Sequence, residues 1–359
     1  MRVLIAPDCF GGTLTAREAA DAIASGWHSA KPDDHLVLRP LADGGPGFVD
    51  VLHASLGGDV HVTTVTGPLG TPVEARWLTH DGTAYVESAE ACGLHLVPAD
   101  QRARVCETTT TRGVGELLLA ARAAGVHTIV VGLGGSATTD GGAGLFEALD
   151  HDPAGVPPTS SLPTSTDNSG ALIGSCPQLV AASDVENPLL GPHGAAHTFG
   201  PQKGASPEAV ERLEQRLAGM ERLEAVKDQP GAGAAGGLGA ALLSLGATVT
   251  SGAGLVRDLT GLDTALDTVD VAVTGEGSFD WQSLRGKLVT TVAAGAAHRG
   301  LPCVVLAGQV SVGRREAASA GVQDAYSVSE HAGSTERSLA EPGPTLEALA
   351  AHVARQWST

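Results

Sequence analysis

The chain is poor in aromatic residues, 3% of its 359, and in charge, with Asp, Glu, Lys and Arg together making up 17%. So few rings leave a core to be filled by Ala, Gly, Val and Leu, which suits an α/β protein better than an all-β sandwich. No run of about 18 uncharged apolar residues occurs, so nothing reads as a membrane span. Cysteine is scarce and odd in number: Cys9, Cys92, Cys106, Cys176 and Cys303 are scattered, with no C-x-x-C pair. That distribution argues against a disulfide framework or a zinc site and for a reducing compartment, the cytoplasm. The opening MRVLIAPDCF has one basic residue and no small-residue cleavage site, so it reads as a strand and not a signal peptide. Positive charge is also short. A net charge of −18 argues against a nucleic-acid surface and means that any anion must be held by a local cation or a metal ion.

Several motifs are missing as well. There is no G-x-x-x-x-G-K-[ST] loop, no G-x-S-x-G elbow and no histidine pair at metal-ligand spacing. Residues 231–239 carry glycine triplets, but no strand rich enough for a dinucleotide fingerprint precedes them and no acidic ribose ligand can be placed after them. A P-loop enzyme, a serine or zinc hydrolase and a nicotinamide dehydrogenase all lose support.

Glycine is what the chain has in excess, 48 residues, about twice ordinary usage. Residues 128–145, TIVVGLGGSATTDGGAGL, combine a β-branched run with a glycine-rich loop at 132–144. The run suits a strand, and the glycines allow several backbone N–H groups to converge on one anion. Ser136, Thr138 and Thr139 add hydroxyls, and Asp140 adds a carboxylate of the kind a phosphate-bound Mg²⁺ needs. The same grammar, a strand then a turn with an acid, recurs at Asp8, Asp43, Asp184 and Glu276, with Asp280 close behind. Loops at the carboxyl ends of parallel strands gather at one edge of the sheet, so these acids are expected to cluster, with Lys203, Arg285 and Lys287 as candidate cations. Taken one at a time, each acid is as well explained as an Asx-turn or helix-capping residue.

The coarse pattern is β-α-β-α at the start, alternating β-branched and polar residues with turn signals from 59 to 87, and a return of the parallel pattern from Val269. Thr15 and Glu18 form a capping box for a helix, and Pro207 stands at the first position of another. Residues 150–175 are rich in Pro, Ser, Thr and Asp without periodicity and read as an exposed loop. The expected fold is α/β: a doubly wound parallel-sheet domain from residues 1–57 and 257–359, with a second, mixed α/β domain of residues 58–256 inserted into it.

Particular segments then resemble a known family. IAPDCFGGT is similar to the "IAPDSFKGS" opening of the bacterial two-domain glycerate kinases, and LADGGPG to their "LADGGEG". TTTTRGVGEL resembles "TTTYGTGEL", GLGGSATTDGGAG resembles "GIGGSATNDGGAG", and SDVENPLLGPHGA resembles "CDVDNPLLGPNGA". GPQKGA and the stretches 230–243 and 274–287 are close to the family text. The resemblance runs over nearly the whole chain and implies ATP- and Mg²⁺-dependent phosphorylation of a hydroxyl of D-glycerate, most often the 2-hydroxyl, or of a related hydroxy acid. On that reading Asp184 or Asp8 accepts the hydroxyl proton and Lys287 neutralises phosphate, while Asp140, Glu276 and Asp280 hold the metal. Gly134, Gly135, Ser136 and Thr138 cradle phosphate, and Asp43, Asn187 and Gln282 serve substrate binding. The expected partners are a small hydroxy acid and a nucleotide, with neither nucleic acid nor membrane, and a homodimer is allowed. Gly11 stands where the family has Lys, Cys9 where it has Ser, Pro46 where it has Glu, Thr139 where it has Asn and Arg112 where it has Tyr. The paired loss of Lys and Glu reads as a lost ion pair, and Arg112 as a cation that could return the charge. These departures keep open a second reading, a catalytically silent member that binds a small anion or nucleotide.

Overall fold

A computed structural model describes residues 1–151, 177–281, 283–284 and 288–357. Most of the expected loop at 150–175 lies outside the described residues, as do Cys176, Gln282, Arg285 and Lys287. The strands, in chain order, are β1 (Arg2–Ile5), β2 (His35–Leu38), β3 (Asp59–Thr66), β4 (Pro72–His80), β5 (Thr83–Glu87), β6 (Thr128–Gly132), β7 (Gln178–Ala182), β8 (Thr248–Thr250), β9 (Val271–Phe279), β10 (Cys303–Val310) and β11 (Asp324–Ser327). They form two sheets and two compact units. The first unit is Met1–Asp43, Asp50–Leu56 and Ala253–Thr359, and the second is Gly44–Val49 and Gly57–Gly252. Against the expected boundaries near 57 and 257, the second unit also takes the short turn Gly44–Val49.

The first unit is built on a parallel sheet in the order β11-β10-β9-β1-β2. The chain passes from β1 outward to β2 and later resumes on the other side of β1 with β9, so the strand order reverses between β1 and β9. In open α/β sheets that reversal leaves a crevice beyond the carboxyl ends of the two strands, and ligands bind in it. The helix Ala16–Ala30 opens with the capping box as expected: the Glu18 N–H donates to Thr15 Oγ1 at 3.1 Å and the Thr15 N–H donates to Glu18 Oε2 at 2.9 Å. Its buried face, Ala19, Ala20, Ile23 and Trp27, packs with Leu346, Leu349, Ala350 and Val353 of the helix Pro342–Gln356 over Val3, Ile5, Val271 and Val304 of the sheet. The two helices approach most closely at a glycine. A Cβ on Gly26 would strike the carbonyl of Glu347.

The second unit is built on a mixed sheet, β3-β4-β5-β6-β7-β8. Its first two pairings are antiparallel, as the alternating pattern from 59 to 87 predicts, and the remaining three are parallel. Ile129, Val131, Leu179 and Ala181 bury one face of its parallel half against the helices Arg112–Ala123 and Ala143–Asp150 and against Leu238 and Leu242. The helix Pro207–Ala218 starts on the Ser206 side chain, which accepts from the Ala209 N–H. It ends at Ala218, and a separate 3₁₀ turn, Glu221–Leu223, follows.

Candidate active site

Asp8 and Asp43 follow β1 and β2, whereas Glu276 lies within β9, which runs on to Phe279 instead of ending before it, and the three come together because the ladder continues past β1. The Ala6 N–H donates to the Val273 carbonyl and the Asp8 N–H to the Gly275 carbonyl, both at 2.8 Å, while the Leu41 N–H donates to the Pro7 carbonyl at 2.9 Å. The Thr274 hydroxyl adds a bond to the Ala6 carbonyl at 2.7 Å. Exit loops tied at those points carry Asp8 and Asp43 into the neighbourhood of Glu276. Their charges act on one another: the Asp8 carboxyl is pushed up to about 8, first by burial and then by the Asp43 and Glu276 carboxylates, against a hydrogen bond from the Cys9 N–H at 2.6 Å that favours the ionised form. Glu276 is buried, and Asp8 and Asp280 are half-buried.

These acids open onto a cavity of about 460 Å³ at the β1/β9 switch point. Asp8, Glu276 and Asp280 line it together with the apolar Phe10, Val328 and Leu346. Gly11 and Cys9 line it too, so the two departures at the first loop change the character of this wall: neither the lysine nor the serine of the family pattern is present. At Gly11 nothing lies within 4 Å of where a Cβ would stand. Burial pushes the Cys9 thiol far above its ordinary range, so it is no nucleophile.

Among the described residues no group of three His, Cys, Asp or Glu side chains is disposed to hold a metal ion by itself. The acidic side of the cavity nonetheless fits Mg²⁺. That ion is ordinarily held by one or two carboxylates plus substrate phosphates and water, not by an all-protein cage, and the repulsion that raises the Asp8 pKa is relieved by a bound cation.

The glycine loop of the second unit is organised differently. The Asp140 carboxylate accepts from the Thr111 N–H and hydroxyl, both at 2.9 Å, from the Gly142 N–H at 3.1 Å and from the Gly144 N–H at 3.2 Å. It fastens the starts of the helices Arg112–Ala123 and Ala143–Asp150, and this fully engaged geometry is that of a capping residue and not of an exposed metal ligand. The loop amides are engaged in the same way: the Ala137 N–H donates to the Cys92 carbonyl and the Gly141 N–H to the Gly236 carbonyl. Gly236, at φ 71°, packs so closely that a Cβ there would run into the Thr138 carbonyl, which accounts for the second glycine-rich stretch as a packing partner of the first. Gly134 and Gly135 sit against Gly45 and Pro46 with no room for side chains. The amides of Ala137, Gly141, Gly142 and Gly144 are thus bonded to protein acceptors, and the phosphate cradle expected of Gly134, Gly135, Ser136 and Thr138 concerns other residues of the loop.

Inside this loop stands Lys203, whose role sequence reasoning left at that of a candidate cation. It is buried, its Nζ donates to Ser136 Oγ at 3.0 Å and to the Thr138 carbonyl at 2.6 Å, and burial lowers its pKa to about 8 against the opposing pull of Cys92 and Asp140. The Thr138 hydroxyl is buried beside the Cys92 thiol. The signal that could have found Lys203 is its setting between Gly200 and Gly204. Glu87, buried at the end of β5, was also missed: it accepts from the Gly47 and Val49 N–H groups at 3.1 and 3.4 Å and holds the turn that follows Asp43.

The remaining expectations in this unit have local explanations. Asp184 is exposed at the end of β7, where its Oδ1 accepts from the Ser251 hydroxyl at 2.6 Å. Asn187 donates from Nδ2 to the His193 carbonyl at 2.7 Å and to Thr198 Oγ1 at 3.4 Å, bracing its own loop. Arg112 pairs with Glu116 at 3.1 Å and Glu147 at 3.6 Å, so its charge joins two helices.

A family model described as Glycerate kinase family matches residues 3–358. The chain belongs to the glycerate kinase family. An uncharacterised protein of Mycobacterium tuberculosis is 45% identical over 362 residues, covering 99% of this chain and 91% of its own. The glycerate 2-kinase of Escherichia coli K12 is 40% identical over 332 residues, 87% of this chain and 86% of its own. Among solved structures, a chain from Salmonella typhimurium LT2 assigned as glycerate kinase 2 matches with a TM-score of 0.74 and 35% identity, covering 99% of this chain and 98% of the other. Family membership makes this protein a kinase, an enzyme that works on a nucleotide and a small-molecule acceptor. No described helix is long and apolar enough to cross a membrane.

Proposed function

We propose that the chain transfers the γ-phosphoryl group of ATP, taken up with Mg²⁺, to the 2-hydroxyl of D-glycerate. The observation that carries this reading is the group of three carboxylates, Asp8, Asp43 and Glu276, gathered at the switch point of a parallel sheet. The 2-hydroxyl is supported by the E. coli relative, a glycerate 2-kinase. Phosphoryl transfer asks a protein for positioning and charge neutralisation more than for covalent chemistry. The acceptor oxygen bonds to the γ-phosphorus as the bond from that phosphorus to the β,γ-bridging oxygen breaks, ADP leaves, and the hydroxyl proton passes to a carboxylate. Asp8 is our choice for that base, because Asp43 and Glu276 make it far more basic than an ordinary carboxylate and so match it to work near neutrality. Glu276 and Asp280 would hold Mg²⁺, which neutralises phosphate charge when bound. In this assignment Asp140 and Asn187 shape loops and Asp184 carries no chemical step. Free thiols at Cys9, Cys92, Cys106 and Cys303 are in keeping with a cytoplasmic enzyme.

The test is ADP release by purified protein with Mg·ATP and a panel of three- and four-carbon hydroxy acids. D-glycerate should give the highest kcat/KM. Nucleotide binding with no ADP release on any acid would select the silent reading instead.

A further inference from the structure

Several cations of the first unit are taken up by carboxylates: Arg257 and Arg299 bind Asp263, Arg299 also binds Asp267, and Arg337 pairs with Glu341. Arg39 is different. At the end of β2 its Nη1 donates to the Leu38 carbonyl at 2.8 Å, and among the described residues no carboxylate lies within ion-pair distance of it. The side chain is half-buried, so water relieves its charge only in part.

Arg39 lines a cavity of about 390 Å³ beside β2, the edge strand of the parallel sheet. All the lining residues belong to the first unit, and among the described residues none is shared with the switch-point cavity. Ala20 and Pro40 are buried members of the lining, and Ser55 is an exposed one whose hydroxyl makes no hydrogen bond among the described residues. A second arginine, Arg17, lines the same space. It stands in the first turn of the helix Ala16–Ala30, where the helix dipole disfavours a cation. Its pairing with Asp21 at 3.5 Å joins side chains that are 65% and 57% exposed, with the basic partner nearer the helix start, the weaker order for such a pair. The fold therefore gains little from either guanidinium group. Two of them against the one carboxylate of Asp21 line this space in a chain of net charge −18, whose overall field opposes anions. A local surplus of positive charge in a concave, ligand-sized space is the mark of a site for an anion.

We propose that this cavity binds a small phosphomonoester, its dianionic head on Arg39 and Arg17 with the Ser55 hydroxyl as a further donor, and its carbon skeleton against Leu38 and Pro40. A phosphate monoester gathers up to two charges and three terminal oxygens on one centre, which suits two forked donors and a hydroxyl in one compact space; a carboxylate brings one charge and two oxygens. No step of phosphoryl transfer passes through this site, so the inference stands or falls apart from the kinase reading and from the identity of the acceptor.

Calorimetric titration of glycerol 1-phosphate, malonate and glycerol into the full chain tests it, in wild type, Arg39→Ala, Arg39→Lys and Asp21→Asn, with melting curves as a check on folding. Wild type should bind glycerol 1-phosphate, with malonate at least about fivefold weaker and glycerol silent. Arg39→Ala should weaken glycerol 1-phosphate by more than about tenfold, and Arg39→Lys by about threefold to fivefold, because the charge stays while the fork is lost. Asp21→Asn, a change at an exposed position, should tighten it about twofold to threefold by removing the carboxylate of the lining. That gain of affinity keeps the test decisive even where Arg39→Ala fails to fold. No binding of glycerol 1-phosphate to wild type, or binding that ignores both Arg39→Ala and Asp21→Asn, would overturn the assignment, and malonate bound as tightly as the phosphomonoester would overturn its chemistry.

Discussion

In the second unit the acid that follows β6, Asp140, is surrounded by N–H and O–H donors; in the first, the acid that follows β1, Asp8, faces two further carboxylates. Both arise from a strand running into a turn with glycine and an acid, and both lie beyond the carboxyl ends of parallel strands. The environment separates them. Donors that converge on Asp140 fix two helix starts and use the carboxylate as structure. Like charges that converge on Asp8 raise its pKa, and carboxylates gathered in this way are characteristic of places where a charged ligand completes the arrangement. A motif of this kind therefore locates a crowded loop, and only the partners of the acid decide between scaffold and chemistry.

Four outcomes would break or sharpen that contrast. The largest belongs to Asp8. Asp8→Asn should lower kcat by at least about a hundredfold, the usual scale for loss of a general base, while the melting temperature holds or rises. An unchanged kcat in steady-state assays would move the base elsewhere. Next, Asp140→Ala leaves several buried donors without an acceptor and should cost about 3 kcal/mol or more of stability in denaturant unfolding. Were it a metal ligand instead, the loss would appear in Mg²⁺ dependence with stability unchanged.

The third concerns pH, where the units should oppose each other. Asp8 goes from an ordinary 3.8 to about 8 on folding, so between those values the native state holds a proton that the unfolded chain has released. Its contribution is therefore full at low pH and is lost as pH rises toward 8. Lys203 goes from 10.5 to about 8, so above 8 the native amine is neutral while the unfolded chain still carries the proton, and stability gained from this group grows with pH up to about 10.5. Unfolding free energies measured across pH 5–10 without ligands should show the first slope vanish in Asp8→Asn and the second in Lys203→Met. A slope that survives its own substitution would show that another group carries it. The smallest effect is expected at Arg112, a half-exposed pair that joins helices: Arg112→Ala should change stability by under about 1 kcal/mol and leave the acceptor KM within twofold. A large rise in that KM would restore Arg112 as a substrate cation.

Much of the architecture could be read from residue patterns because it depends on local rules. The Thr15–Glu18 capping box, Pro207 at a helix start, the alternating strands from 59 to 87 and the β-branched run before Gly132 each express one short-range preference. The acids after β1 and β2 were legible for the same reason, since parallel strands place their exits on one edge, whereas Glu276 proved to lie within β9. What could not be read was the use made of each group. That Asp140 meets Thr111, that Gly236 exists to let Thr138 approach, and that Lys203 enters the loop from a 3₁₀ turn all depend on contacts across long separations in the chain. The apolar lining of the switch-point cavity was missed for a related reason: Leu339, Pro342 and Leu346 lie in helices with no distinguishing motif and matter only through what they face.

The central claim is that the acids at the β1/β9 switch point perform phosphoryl transfer while Asp140 holds a loop. Phosphorus NMR of wild type, Asp8→Asn and Asp140→Asn incubated with Mg·ATP and D-glycerate tests it most directly. Wild type should convert ATP and acceptor to ADP and 2-phosphoglycerate, folded Asp8→Asn should leave both untouched over the same period, and Asp140→Asn should retain turnover in proportion to the fraction that remains folded. Full activity in Asp8→Asn, or a folded but inactive Asp140→Asn, would contradict it.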